Sequence, residues 1–200
     1  MKLTILAALV ASAAAFAPAA QKARTTAIAA DYSNEIGAMA PLGFWDPMGV
    51  VSDVSQERFN DLRETEIKHG RVSMLAVVGY LTTAAGIRFP GCEDIPDGLA
   101  AFPAVIAQGA EGKNVLLQMV AFFAVAEMIN RDAFGMAEFP GDYRNGALDF
   151  GWDKLDEATK IKKRTIELNQ GRAAQMGITG LVVHELLGES ILPGGYLPGQ

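Results

Sequence analysis

Three stretches of this chain run almost free of charge for fifteen or sixteen residues: Val72 to Ile87, Asn114 to Ile129 broken only by Gln118 and Glu127, and Ala173 to Leu187 broken by Gln175, His184 and Glu185. The first and third follow polar segments that propagate a helix well. Ser55 is a plausible N-cap for the first, with Gln56, Glu57, Arg58, Asp61, Leu62 and Arg63 behind it, and the third begins near Glu157 and runs through the basic stretch Lys160 to Arg164. Between them, Phe89 to Gly112 reads as a loop with a short apolar turn at Leu99 to Ala107, and Phe139 to Asp153 reads as a second loop. Asp31 to Ser55 is rich in Gly, Pro and Ala and reads as an extended arm. A spanning helix needs about twenty apolar residues, and the first run reaches that length only if Glu66 is neutralised within the protein. The pattern predicts an all-α membrane protein with three transmembrane helices, the first and third long, tilted and related by a pseudo-two-fold axis. The competing expectation is a soluble helical core.

The two-fold expectation comes from an internal repeat. Glu66-Ile67-Lys68-His69-Gly70-Arg71 is echoed by Glu167-Leu168-Asn169-Gln170-Gly171-Arg172 at an offset of 101 residues, which also aligns Arg63 with Arg164 and Gly79 with Gly180. Within each copy the acid and the arginine lie five positions apart, about 140° around a helix, so they do not pair with each other along it. Crossing the two helices about a local axis lets Glu66 meet Arg172 and Arg71 meet Glu167. A desolvated charge costs several kcal/mol unless it is matched, so the repeat predicts two reciprocal ion pairs.

Polar groups that persist in apolar helices point to function. Glu66 and His69 share one face of the first helix, and Glu167 and Gln170 share the equivalent face of the third. His184 follows Gln170 by fourteen residues, within about 40° of the same face and roughly 21 Å further along. In the middle helix Glu127 has Arg131 four residues later to neutralise it, and Gln118 lies on the opposite face. An imidazole, an amide oxygen and a charge-cancelled carboxylate are each single Lewis bases suited to the open axial position of a chlorophyll magnesium. The glycines beside them leave flat patches that equally suit close helix crossing. Ser-His-Asp, Cys-His, phosphate-loop and paired-acid arrangements are not found, so the chain does not read as an enzyme.

Charge and targeting narrow the setting. Residues 1–15 have the charged start and apolar middle of a signal peptide, and residues 16–30 carry Lys22 and Arg24 without an acid, as transit peptides do. The remaining domain, residues 31–200, holds 14 basic against 23 acidic residues, a net charge of −9, which argues against nucleic acid as a partner. Cys92 is alone, so an intrachain disulfide is excluded. Ala13-Ala14-Ala15-Phe16-Ala17-Pro18 resembles the cleavage site of bipartite plastid presequences in algae with secondary red plastids.

With these residues in view, the chain resembles the light-harvesting chlorophyll-binding proteins. Glu66 to Arg71 and Glu167 to Met176 are similar to the family's first and third helices, and Pro140 to Asp153 resembles its fucoxanthin–chlorophyll a/c branch, found in diatoms and related algae. The resemblance implies a multi-pass antenna of the plastid thylakoid membrane that passes excitation to a photosystem. It implies chlorophyll a, chlorophyll c, fucoxanthin, and diadinoxanthin or a related xanthophyll as cofactors. Glu66, His69, Glu167, Gln170, His184, Glu127 and Gln118 would be axial ligands, and Arg71, Arg172 and Arg131 would neutralise the acids. The loops at Asp46 and Asp153 would hold the head groups of two carotenoids. Implied partners are other antenna subunits in a homo- or hetero-oligomer, a photosystem core and thylakoid lipids. Gln170 stands where green-plant relatives usually have Asn, and His184 where they have Gln. A photoprotective quencher of the same family, or a small membrane transporter or scaffold with buried ion pairs, are the alternatives.

Overall fold

The computed structural model describes residues 32–52, 54–130, 135–146 and 149–190; the expected leader segments, 1–15 and 16–30, and Arg131 lie outside them. Four helices follow in order: α1 (Gln56–Ala84), α2 (Ala101–Ala107, entered through a 3₁₀ turn at Gly98–Ala100), α3 (Ala110–Ile129) and α4 (Glu157–Leu187), with a second 3₁₀ turn at Trp152–Lys154. The described residues form no strand beyond an isolated bridge between Met39 and Gly43. The protein is all-α.

Local chemistry sets the helix ends. Ser55 Oγ accepts the Arg58 amide at 3.3 Å and an Asp156 carboxylate oxygen accepts the Thr159 amide at 3.3 Å, each satisfying an orphan donor of the first turn. α4 closes on Gly188 in the left-handed region. α1 ends at Ala84, short of the apolar run's end at Ile87, because Gly86 turns at φ +78° and the Ile87 amide reaches back to the Thr82 carbonyl. α3 starts four residues earlier than its apolar run, at Ala110.

α1 and α4 pack as an intimate crossed pair, and their contact is backbone on backbone. A Cβ built on Gly70 would lie 2.9 Å from Gly171 Cα, and one on Gly171 would lie 3.0 Å from Gly70 Cα. Only hydrogen at both positions permits this approach. The arm docks against the start of α1, where buried Tyr32 stacks on buried Phe59 with ring centroids 4.1 Å apart and donates its hydroxyl to the Val54 carbonyl.

The protein's own core is small. Among the described residues the buried large hydrophobics are Tyr32, Phe59, Leu168 and Leu181, while Val72, Leu75 and Val78 on α1, most of α3, and Met176 and Leu186 on α4 are exposed. α3 packs with α2 and meets the long pair only at isolated points. It is the one described helix long and apolar enough to cross a membrane by length and composition.

Candidate functional site

The repeat delivers the expected reciprocal pairs. Arg71 Nε donates to Glu167 Oε1 at 2.7 Å, and Arg172 Nε donates to Glu66 Oε1 at 2.7 Å. Each guanidinium makes a second bond to a loop: Arg71 Nη1 to the Gly141 carbonyl at 2.9 Å, and Arg172 Nη1 to the Gly37 carbonyl at 2.8 Å. Gly37 and Gly141 both have positive φ, +108° and +86°, and lie against Leu168 and Ile67, positions that the 101-residue offset also relates. The two-fold relation therefore extends from the helices into the segments that precede them.

It is not perfect. Glu66 takes a second cation, because Arg63 Nη1 donates to its Oε2 at 2.6 Å from one turn away. The equivalent Arg164 instead covers the Phe139 ring at 4.1 Å. Glu167 Oε2 therefore has no hydrogen-bond partner among the described residues, while both oxygens of Glu66 are engaged. Each carboxylate keeps lone pairs for a further acceptor role.

Both histidines are held by one ring nitrogen. His69 Nδ1 lies 2.8 Å from the Thr65 carbonyl and His184 Nδ1 lies 3.2 Å from the Glu189 carbonyl. A carbonyl accepts only, so Nδ1 is the donor, and in the neutral ring Nε2 keeps a lone pair, the arrangement that orients a metal-binding imidazole. His69, Gln170 and Gln118 are exposed, and neither amide makes a hydrogen bond among the described residues. Glu127, also exposed, is bonded at 2.6 Å to Lys68 of α1, a partner that the sequence did not suggest.

The loop before α4 is built on Arg144. Its guanidinium grips Asp142 through two bonds of 2.8 Å, reaches Glu138, Asp149 and Asp153 at 3.3 Å, and covers the Trp152 ring at 5.4 Å. Asp142 is buried, and the Arg144 hydrogen bonds hold its pKa at about 2. Burial and the Glu64 carboxylate, which accepts the phenol proton at 2.6 Å, push Tyr143 upward. Asp46 plays a local part in the arm: it accepts from the Val51 and Val50 amides at 2.8 and 3.0 Å, and these bonds, Val51 foremost, hold it below the usual carboxylate range. Both aspartates thus shape their loops, and their neighbours face the open grooves.

Two grooves flank the crossing. One, of about 560 Å³, is lined by Phe44 and Trp45 of the arm with Arg63, Glu66 and Arg172; the other, of about 500 Å³, is lined by Phe150 and Trp152 with Arg164, Glu167 and Arg71. They exchange under the repeat. Phe150 is 90 % exposed and sits at φ +48°, an unfavourable backbone for an aromatic residue that presents its ring to the second groove. A third groove, about 650 Å³ and mainly apolar, lies toward the far end of the pair between Gly79, Leu99, Ile178 and Val182. Glu185 closes that end by accepting from Tyr80 at 2.9 Å and the Leu99 amide at 2.7 Å.

The family model described as chlorophyll A-B binding protein matches residues 32–186, from the docked arm to the end of α4. The chain belongs to the chlorophyll a-b binding family. It is 55 % identical to fucoxanthin-chlorophyll a-c binding protein D of Phaeodactylum tricornutum over 96 % of this chain and 100 % of that protein. It is 50 % identical to the fucoxanthin-chlorophyll a-c binding protein of Trieres chinensis over 96 % and 97 %, and 44 % identical to protein B of that name from Macrocystis pyrifera over 81 % and 76 %. For a chlorophyll a-b binding family member the sequence exposed the paired acids and the outward bases. It did not expose Arg63 on Glu66, Lys68 on Glu127 or the Arg144 hub. The duplicated Arg63 and Arg164 were the available signal for the first.

Proposed function

We propose that this chain is a light-harvesting antenna of the plastid thylakoid membrane, holding chlorophyll a, chlorophyll c and fucoxanthin and passing excitation energy to a photosystem. Chlorophyll, when bound, supplies absorption and the dipole coupling by which excitation moves. The protein fixes spacing and orientation and catalyses no reaction. Glu66 and Glu167 offer carboxylate oxygens to magnesium while Arg172 and Arg71 cancel their charge. His69 and His184 offer Nε2, and Gln170, Glu127 and Gln118 offer oxygens on exposed helix faces.

The grooves beside the two ion pairs suit the head groups of two carotenoids, fucoxanthin and diadinoxanthin or a related xanthophyll, with the Asp46 and Asp153 loops at their rims. α1, α3 and α4 each cross the bilayer. At about 1.5 Å per residue α1 is about 44 Å long and α3 about 30 Å, against a hydrocarbon core of about 30 Å, so α1 and α4 tilt and project beyond it. Partners are other antenna subunits in a homo- or hetero-oligomer, a photosystem core and thylakoid lipids.

The observation that carries this reading is the shortage of protein core: half the chain is hydrophobic, yet four large hydrophobics are buried among the described residues. Flat apolar ligands between the helices, and lipid around them, supply the missing contacts. Purification from the native membrane in mild detergent, followed by pigment extraction, tests it. Chlorophyll a, chlorophyll c and fucoxanthin in fixed molar ratio to protein are expected, and a colourless protein contradicts the proposal.

A further inference from the structure

A polar bond joins Lys68 of α1 to Glu127 of α3, and each helix carries an exposed apolar stripe beside it. Counting from Lys68, Val72 and Leu75 continue the same stripe of α1; counting back from Glu127, Phe123 and Val120 continue the same stripe of α3. Val72, Leu75, Phe123 and Val120 are 58–75 % exposed. α1 and α3 are tied by the Lys68–Glu127 bond and pack on each other little beyond it. Lys68 Nζ takes Glu127 Oε2 at 2.6 Å, leaving Oε1 for another electrophile.

We infer that Lys68 of α1 is the cation that neutralises Glu127 of α3, so that the carboxylate can ligate the magnesium of a chlorophyll lying against the exposed apolar stripes of the two helices. Lys68 is a positioning residue here and does not itself touch the metal. The inference rests on the reading of Glu127 as an axial ligand. The physical reason is the one that applies to Glu66 and Glu167: an anionic ligand in an apolar medium needs its charge cancelled. A neutral ligand does not. That difference separates charge cancellation from a merely mechanical tie between helices.

The test uses the full mature protein assembled with its pigments, reading chlorophylls per polypeptide and the visible circular dichroism. Lys68→Met should lose one chlorophyll and its dichroic band, while Lys68→Arg should keep both and Arg131→Met should behave as wild type. Lys68→Met combined with Glu127→Gln should recover the lost chlorophyll, because the amide oxygen is an uncharged donor with nothing left to neutralise. If Lys68→Met alone fails to assemble, the double variant still decides, since it leaves no stranded charge. A full complement in Lys68→Met, a loss in Arg131→Met matching that in Glu127→Ala, or a double variant as depleted as Lys68→Met overturns the inference. Loss of one chlorophyll in Glu127→Ala with none in Lys68→Met leaves Glu127 a ligand and removes Lys68. A full complement in Glu127→Ala removes the ligand reading itself.

Discussion

Arg71 and His69 are neighbours on α1 with different work to do. Arg71 satisfies Glu167, the Gly141 carbonyl and, at 5.6 Å, the Tyr143 ring, so replacing it with Leu strands a carboxylate at a helix crossing. Removing one partner of a half-buried ion pair leaves an unmatched charge, and Arg71→Leu should lower the yield of assembled complex. His69→Ala removes one outward base and should cost about one chlorophyll with the helices intact. Pigment stoichiometry and thermal melting of the two variants check this, and equal losses would count against the crossed-pair account. Asp142 gives a pH dependence. Arg144 holds its pKa at about 2, below the ordinary 3.8, so its share of stability is complete above about pH 4 and is lost as pH falls through about 2. That share is on the order of 2 kcal/mol. An acid titration of the melting temperature should show a fall in that window, which Asp142→Asn should flatten.

The α1–α4 pair depends on two glycines more than on any apolar side chain. Gly70→Ala places a methyl group 2.9 Å from the Gly171 Cα, so the helices must separate, at a cost of about 1–3 kcal/mol for overpacking. A lower melting temperature of the pigmented complex and a disturbed visible circular dichroism are expected. An unchanged melt would mean the helices do not cross at that point. This element was legible in the sequence because both copies carry Glu, Gly and Arg in one register, and unpaired charges in apolar helices admit few solutions. The caps at Ser55 and Asp156 follow from local rules alone, and Ser55 was read from them. Lys68–Glu127 was not legible, since those residues are 59 positions apart and their meeting depends on where α3 docks. The Arg144 hub gathers four acids from loops whose course no periodicity announces.

On the scale of the molecule, the described residues hold three long helices without the side-chain core to fix α3 in place. α3 is joined to the long pair by little more than Lys68–Glu127 and to the loop before α4 by a bond from Asn145 to the Ile129 carbonyl, and its apolar surface is left open. Pigments as structural filler explain that openness, and they make assembly and light absorption one process. Such a protein should lose α3 packing when pigment is extracted, while the α1–α4 crossing, which rests on backbone contact and ion pairs, persists longer. An antenna role requires that these residues hold chlorophyll and carotenoid close enough to share excitation. The fluorescence excitation spectrum of the purified complex, monitored at chlorophyll a emission, tests it most directly. Chlorophyll c and green-absorbing fucoxanthin bands that follow the absorption spectrum are expected. An excitation spectrum containing chlorophyll a alone, or a protein without pigment, would contradict the account.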